Sequence, residues 1–290
     1  MRKTKLEIAL PIIASDLNSQ KLKIFKSKEL CSFIRNNHQK WDLAKSTGLR
    51  NIIDYLNEYS NLKKIDFPFP YRHETRYVWG NISIYETLLT LHNKSYFSHE
   101  SALYFNGLTN KNPKTIYLNH EQPPRAQSGI ITQRGIDMAF KNCPRTTNNK
   151  IKFENIEIYI INGMSTNQLG VITKTVSDIK DLSEVRTTNI ARTLIDITVR
   201  PVYSGGVEAV KSAYSLARNQ VSVEALRDIY LKLKYQYPYH QAIGYYLEVT
   251  NYPASSVNLF KQLPMEFNFY LTNQIKEPEY KENWKLYVPK

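Results

Sequence analysis

Cysteine is nearly absent. The 290 residues hold only Cys31 and Cys143, neither spaced with another Cys or His as metal ligands are. This excludes a disulfide framework, gives no basis for a zinc site, and points to a reducing, cytoplasmic compartment. No apolar run approaches the ~20 residues of a membrane span, so no membrane partner is expected. Walker, G-x-S-x-G and H-E-x-x-H patterns are missing as well. The expectation is a protein with no catalytic residues, no metal and no cofactor, hence not an enzyme. The basic Met1–Lys5 stretch and the apolar Leu6–Ala14 stretch resemble a signal peptide. Glu7 interrupts the apolar part, which is short, so the segment reads as a first helix packed on the domain behind it.

Acidic residues are outnumbered: 26 Asp/Glu face 39 Lys/Arg, a net charge of +13. Such a balance favours a polyanionic partner. The excess is uneven. Residues 1–80 carry 15 Lys/Arg against 8 Asp/Glu, a net +7, while the other 210 carry 24 against 18, a net +6. A concentrated basic module is what phosphate contacts require. The length suits two domains of unequal size, placed at 1–80 and 81–290 with the boundary near Gly80-Asn81.

In the first segment Lys21–Phe25 reads as a short strand, and Ser27 as the cap of a helix over Lys28–Asn36. Leu49, Ile52, Ile53 and Leu56 recur at i, i+3, i+4, i+7, a strong helical stripe. Leu62–Phe67 and Arg76–Trp79 then read as two strands. Helix, helix and hairpin in that order predict a winged helix-turn-helix, whose second helix enters the major groove while the hairpin touches the backbone. The fold class expected is therefore α+β, a winged helix followed by a larger mixed α/β domain. On this reading Lys45, Ser46 and Thr47 precede the reading helix, where hydroxyls and a helix N-terminus bind phosphate. Arg50 and Asn51 carry the side chains that fork onto guanine and adenine. Lys63, Lys64, Arg72 and Arg76 furnish the wing. Asp54 and Glu58 on the same helix work against phosphate binding.

The larger segment offers less. His99-Glu100 is an isolated pair in a helix expected over His99–Phe105, and His240 sits among tyrosines at a helix start. Both positions suit packing better than catalysis. Asp196, Glu208, Asp228 and Glu248 fall on different helices with no ligand spacing. Arg192, Asp196 and Arg200 stand four apart and can form a charge ladder. Gly205-Gly206 precedes a helix and reads as a turn. A hairpin is expected from Ile151–Phe153 and Ile156–Ile161 around Glu154-Asn155, a loop over Glu121–Gly129, and a mainly helical stretch over Asn189–Thr250.

Four stretches in order carry a family resemblance. They are Ser98-His99-Glu100-Ser101-Ala102-Leu103 with Gly107-Leu108-Thr109, Ala191-Arg192-Thr193-Leu194-Ile195-Asp196, Arg200-Pro201-Val202-Tyr203-Ser204-Gly205-Gly206, and Ile243-Gly244-Tyr245-Tyr246-Leu247-Glu248. Over nearly its whole length the chain resembles the AbiEi family, antitoxins and transcriptional regulators of type IV toxin–antitoxin systems associated with phage defence. Ala191 departs from the pattern, standing where the family usually has Glu. The resemblance implies an N-terminal winged helix that represses its own operon, often as a dimer on inverted repeats of double-stranded operator DNA. It also implies a C-terminal antitoxin domain that counters a nucleotidyltransferase toxin encoded nearby, with no stable complex required. Arg192, Asp196, Tyr203, Gly205, Gly206 and Glu248 are the antitoxin surface it implies. Two other readings stay open: a winged-helix regulator with no toxin partner, and a metal-dependent nucleic-acid enzyme.

Overall fold

The computed structural model describes residues 3–124, 129–177, 179 and 181–290. The chain is mixed α+β and divides into two compact units. One comprises residues 1–93 with 175–183, the other 94–174 with 184–290. The division falls at Asn93, later than the expected Gly80-Asn81, and the first unit also takes in a short segment from the second half of the sequence.

In the first unit α1 (Lys5–Ser19) opens on a capping box. The Thr4 side chain accepts from the Glu7 N–H, and the Glu7 carboxylate accepts from the Thr4 N–H. β1 (Ile24–Phe25) follows, shorter than the expected strand, and then α2 (Ser27–Asn37). Ser27 is the first helical residue rather than the cap; Lys26 occupies that position, its N–H held by Glu29 at 2.7 Å. α3 (Leu49–Tyr59) buries Ile52, Ile53 and Leu56, as the stripe requires. β2 (Leu62–Pro68) and β3 (His73–Trp79) form an antiparallel hairpin, and β1 pairs with β3, so the sheet order is β1-β3-β2. Ile13, Leu17, Leu30, Ile34, Ile52, Leu56 and Trp79 meet in one apolar core beneath the sheet and the three helices. α4 (Ile84–Leu89), capped by Ser83, completes the unit.

The second unit is built on a six-stranded mixed sheet and a helical layer. Its elements begin with β4 (Tyr96–Phe97), α5 (His99–Phe105), β5 (Thr115–Glu121) and α6 (Gln133–Lys141). β6 (Lys150–Phe153), β7 (Ile156–Gly163), β8 (Val171–Thr175) and β9 (Glu184–Thr188) follow. The sheet order is β6-β7-β5-β4-β9-β8, with β5 and β7 parallel and Tyr117 opposite Tyr159. The hairpin expected around Glu154-Asn155 is present, with Glu154 at φ 51 in the turn. The loop expected over Glu121–Gly129 lies partly outside the described residues, and Glu121 itself ends β5.

The helical layer comprises α7 (Ile190–Val199), a 3₁₀ turn at Pro201–Tyr203, α8 (Val207–Ala217), α9 (Val223–Leu233), α10 (Tyr239–Val249) and α11 (Ala254–Lys261). A small closing sheet of β10 (Phe269–Tyr270), β11 (Pro278–Lys281) and β12 (Leu286–Pro289) packs against it in the order β10-β12-β11. α7 is the central helix, with Ala191 to Thr198 all buried. At Gly244 on α10, an added Cβ would lie 2.1 Å from the ring of the buried Trp284, so only glycine lets the tryptophan close the core there. No helix among the described residues is long and apolar enough to cross a membrane.

Candidate functional site

Two surfaces merit description, one in each unit. On the first, the turn from Lys45 to Gly48 leads into α3. Gly48 holds the cap position with extended backbone, and neither Ser46 nor Thr47 caps the helix with its side chain. Lys45, Ser46, Arg50 and Asn51 are exposed and Thr47 is half-buried. Arg50 lies 3.8 Å from Asp54 with both side chains in solvent, a pair too weak to hold either group back from a ligand. On the hairpin, Lys63 is exposed and among the described residues reaches only the Asn81 amide oxygen, at 3.4 Å. Lys64 is paired with Asp66 at 2.8 Å, and the exposed Arg72 with Glu74 at 2.7 Å.

Arg76 is a correction. Only 1 % of it is exposed, so it is no wing cation. Its guanidinium donates to Glu74 at 2.9 Å, to the Thr75 carbonyl at 2.8 Å, and to the Thr90 hydroxyl, Thr90 carbonyl and Leu91 carbonyl at 2.9, 2.8 and 3.4 Å. All five of its N–H donors are thereby used. Arg76 ties the hairpin to the end of α4 and is not available for phosphate.

In the second unit, α7 supplies the central pair. Asn189 caps it by accepting from the Arg192 N–H at 2.8 Å. One turn apart on the buried face, Arg192 Nε donates to Asp196 Oδ1 at 2.7 Å. Arg192 Nη1 donates to the Leu169 carbonyl at 2.7 Å and the Thr166 hydroxyl at 3.2 Å. Gly170, at φ +76, allows this approach, since a Cβ there would lie 2.7 Å from the Arg192 Cβ. Thr166 donates in turn to Glu121 through both its hydroxyl and its N–H, and Tyr96 donates to the same carboxylate at 3.1 Å. Burial works against the charge on Glu121, but the donors from Thr166, Gln168 and Tyr96 outweigh it and lower its pKa.

Thr166, Arg192 and Asp196 of this polar chain line a cavity of about 860 Å³, together with residues of β5, β7, the Pro201–Tyr203 turn and the loops at 142–147 and 235–239. Arg192, Asp196 and Tyr203 of the expected surface meet there, joined by His99, Arg200 and Arg145. Gly205, Gly206 and Glu248 do not line it. The Gly206 N–H is already donated to the Pro201 carbonyl at 2.9 Å. Glu248 accepts from Trp284 Nε1 at 2.7 Å and faces Lys261 at 3.4 Å. The expected ladder also stops short. Arg200 leaves the helix at φ −137 and joins Asp196 only through its own N–H, and its guanidinium has no carboxylate partner among the described residues.

His99 opens α5 at φ 52, a left-handed conformation that costs a non-glycine residue about 1–2 kcal/mol. Its Nδ1 lies 2.8 Å from the Ser98 hydroxyl, and its ring packs edge-on against Tyr203 with centroids 5.2 Å apart. Burial pushes its pKa down to about 4, so the ring is neutral at pH 7. Burial likewise raises the Tyr203 pKa, and its phenol keeps its proton. Tyr203 accepts the Thr147 N–H at 2.7 Å, which leaves its own O–H free to donate. Sequence reasoning missed Glu121, Thr166 and Arg145 altogether, since each is a single polar residue at a strand end or in a loop. No group of three or more His, Cys, Asp or Glu among the described residues is placed to hold a metal ion.

Neither a protein-family model nor a curated protein sequence matches this chain. The fold defines a mixed α+β protein of several sheets. It is similar to the crystal structure of the RV2827C protein from Mycobacterium tuberculosis, with a TM-score of 0.62 at 13% identity over 97% of this chain and 91% of that one.

Proposed function

We propose that this chain is a DNA-binding transcriptional autorepressor and antitoxin of the type IV, AbiEi-like kind, countering a nucleotidyltransferase toxin encoded nearby. The observation that carries the DNA-binding half is the order α1, β1, α2, α3, β2, β3 with the sheet β1-β3-β2. That order supports reading the unit as a winged helix, with α3 as reading helix and the β2–β3 hairpin as wing. Exposed Lys45, Arg50 and Asn51 at the entry to α3, and Lys63 at the base of the hairpin, put suitable donors on one module, within the segment 1–80 that carries +7 of the +13 net charge. The antitoxin half rests on the resemblance. It is supported by the convergence of Arg192, Asp196 and Tyr203, from two separate sequence stretches, on one cavity wall.

Two substitutions test the assignment of helix and wing. Arg50→Ala is expected to weaken binding to the duplex upstream of the chain's own gene by about 1–3 kcal/mol and to relax base preference. Lys63→Ala is expected to weaken binding on all sequences alike and to flatten the salt dependence by roughly one phosphate contact. Competition binding with base-substituted duplexes distinguishes the two. Unchanged affinity and preference in Arg50→Ala would remove α3 from the role of reading helix.

A further inference from the structure

The cavity of the second unit has a chemistry that neither DNA reading nor toxin neutralisation calls for. At about 860 Å³ it is large enough for a mononucleotide. The lining holds three arginines, Arg145, Arg192 and Arg200, and one carboxylate, Asp196. Arg192 is locked to that carboxylate at 2.7 Å, so Arg145 and Arg200 are surplus positive charge with no acidic partner among the described residues. Arg200 is half-buried and shares the lining with His99, Tyr203 and Tyr239, where an unpaired guanidinium lacks full hydration. The free O–H of Tyr203 adds a donor to the same lining. Surplus guanidinium and phenol donors in a recess are what a phosphate accepts.

The rest of the lining has another character. Phe140, Tyr235, Tyr237 and Tyr239 give an aromatic wall, with Phe140 and Tyr237 edge to face at 5.9 Å. Asp196 spends Oδ1 on Arg192, and its Oδ2 accepts no hydrogen bond among the described residues. A planar heterocycle satisfies both features, stacking on the aromatic side and donating an N–H to the carboxylate. We propose that the cavity is a binding site for a nucleoside phosphate, with the phosphates on Arg200 and Arg145 and the base against the tyrosines. A bare anion would leave the aromatic wall and Asp196 unused, and an uncharged nucleoside would leave Arg200 unpaired. The site lies wholly within the second unit, so it stands or falls independently of operator binding.

Calorimetric titration of the full chain with each of the four nucleoside triphosphates, in the presence of a chelator, tests this. The controls are inorganic tripolyphosphate, adenosine and a 5′-phosphorylated oligonucleotide. At least one triphosphate is expected to bind, with tripolyphosphate and adenosine each weaker by roughly tenfold or more. Arg200→Gln should lose a similar factor, and so should Arg145→Gln, a change on an exposed loop that does not threaten folding. Lys150→Gln, outside the cavity, should change nothing. No binding by any nucleotide, tripolyphosphate as tight as the best nucleotide, a tighter oligonucleotide, or unchanged affinity in both arginine variants would each overturn the proposal.

Discussion

Replacing Asp196 with alanine is expected to lower the stability of the second unit by about 3–5 kcal/mol. The carboxylate and its partner are nearly sealed, with side chains 7% and 5% exposed. Removing one leaves Arg192 buried, with Nε unpaired and only the Leu169 carbonyl and the Thr166 hydroxyl to satisfy it. Against a typical total of about 5–15 kcal/mol, that is a large fraction of the folded state's margin. The double change Arg192→Met with Asp196→Leu should recover more than half of the loss, because apolar groups of similar volume remove the desolvation penalty together with the attraction. Urea unfolding of the three proteins measures this. A single-variant loss below about 1 kcal/mol would mean that cavity water solvates Arg192 and that the pair is not structural.

Acid should unfold the second unit well before general carboxylate protonation does. His99 and His240 are both buried, and burial lowers each pKa from an ordinary 6.5 to about 4. In the unfolded chain both protonate as pH falls through 6.5, whereas in the folded chain they stay neutral down to about 4. Between those values the unfolded state binds more protons, so stability rises with pH. The contribution is complete above pH 6.5 and is lost progressively toward pH 4. At about 1.4 kcal/mol per pKa unit, each histidine accounts for roughly 3 kcal/mol over that window. His99→Asn and His240→Asn should each flatten the pH slope of unfolding free energy, whatever they do to its absolute value. An unchanged slope in both variants would show that the rings titrate normally in the folded protein.

Where periodicity dictates burial, the sequence was readable. The Leu49, Ile52, Ile53, Leu56 stripe fixed α3, because a 3.6-residue repeat admits one buried face. The Glu154-Asn155 hairpin was legible in the same way, since two short β-branched runs flank a polar turn. Arg76 was not legible, for a physical reason. On β3 Arg76 shares a face with Glu74 and Val78, and a lone charge in a strand ordinarily points to water. Its acceptors are the Thr90 and Leu91 carbonyls at the end of α4. Those acceptors lie more than ten residues downstream, so the strand pattern alone gives no reason for Arg76 to be buried. β4 and β9 escaped notice because each is held by pairing rather than pattern: β4 is two residues long and meets β9 in parallel at Phe97 and Thr187. The cavity was half visible. Arg192, Asp196 and Tyr203 stood out in sequence, but Arg145 and Thr166 reach it from loops, and Glu121 holds Thr166 from a strand end, where no periodicity marks a side chain's direction.

The proposed role of the first unit is tested most directly by fluorescence anisotropy. The full chain is titrated onto the duplex upstream of its own coding sequence and onto a shuffled duplex of equal length, across salt from about 50 to 200 mM. A winged helix reading its operator should prefer the upstream duplex by about a thousandfold or more. The logarithm of its affinity should fall linearly with the logarithm of salt concentration, at a slope of roughly 0.9 per phosphate neutralised. Equal affinity for both duplexes, or an affinity that salt leaves unchanged, would contradict the assignment of α3 and the hairpin to DNA.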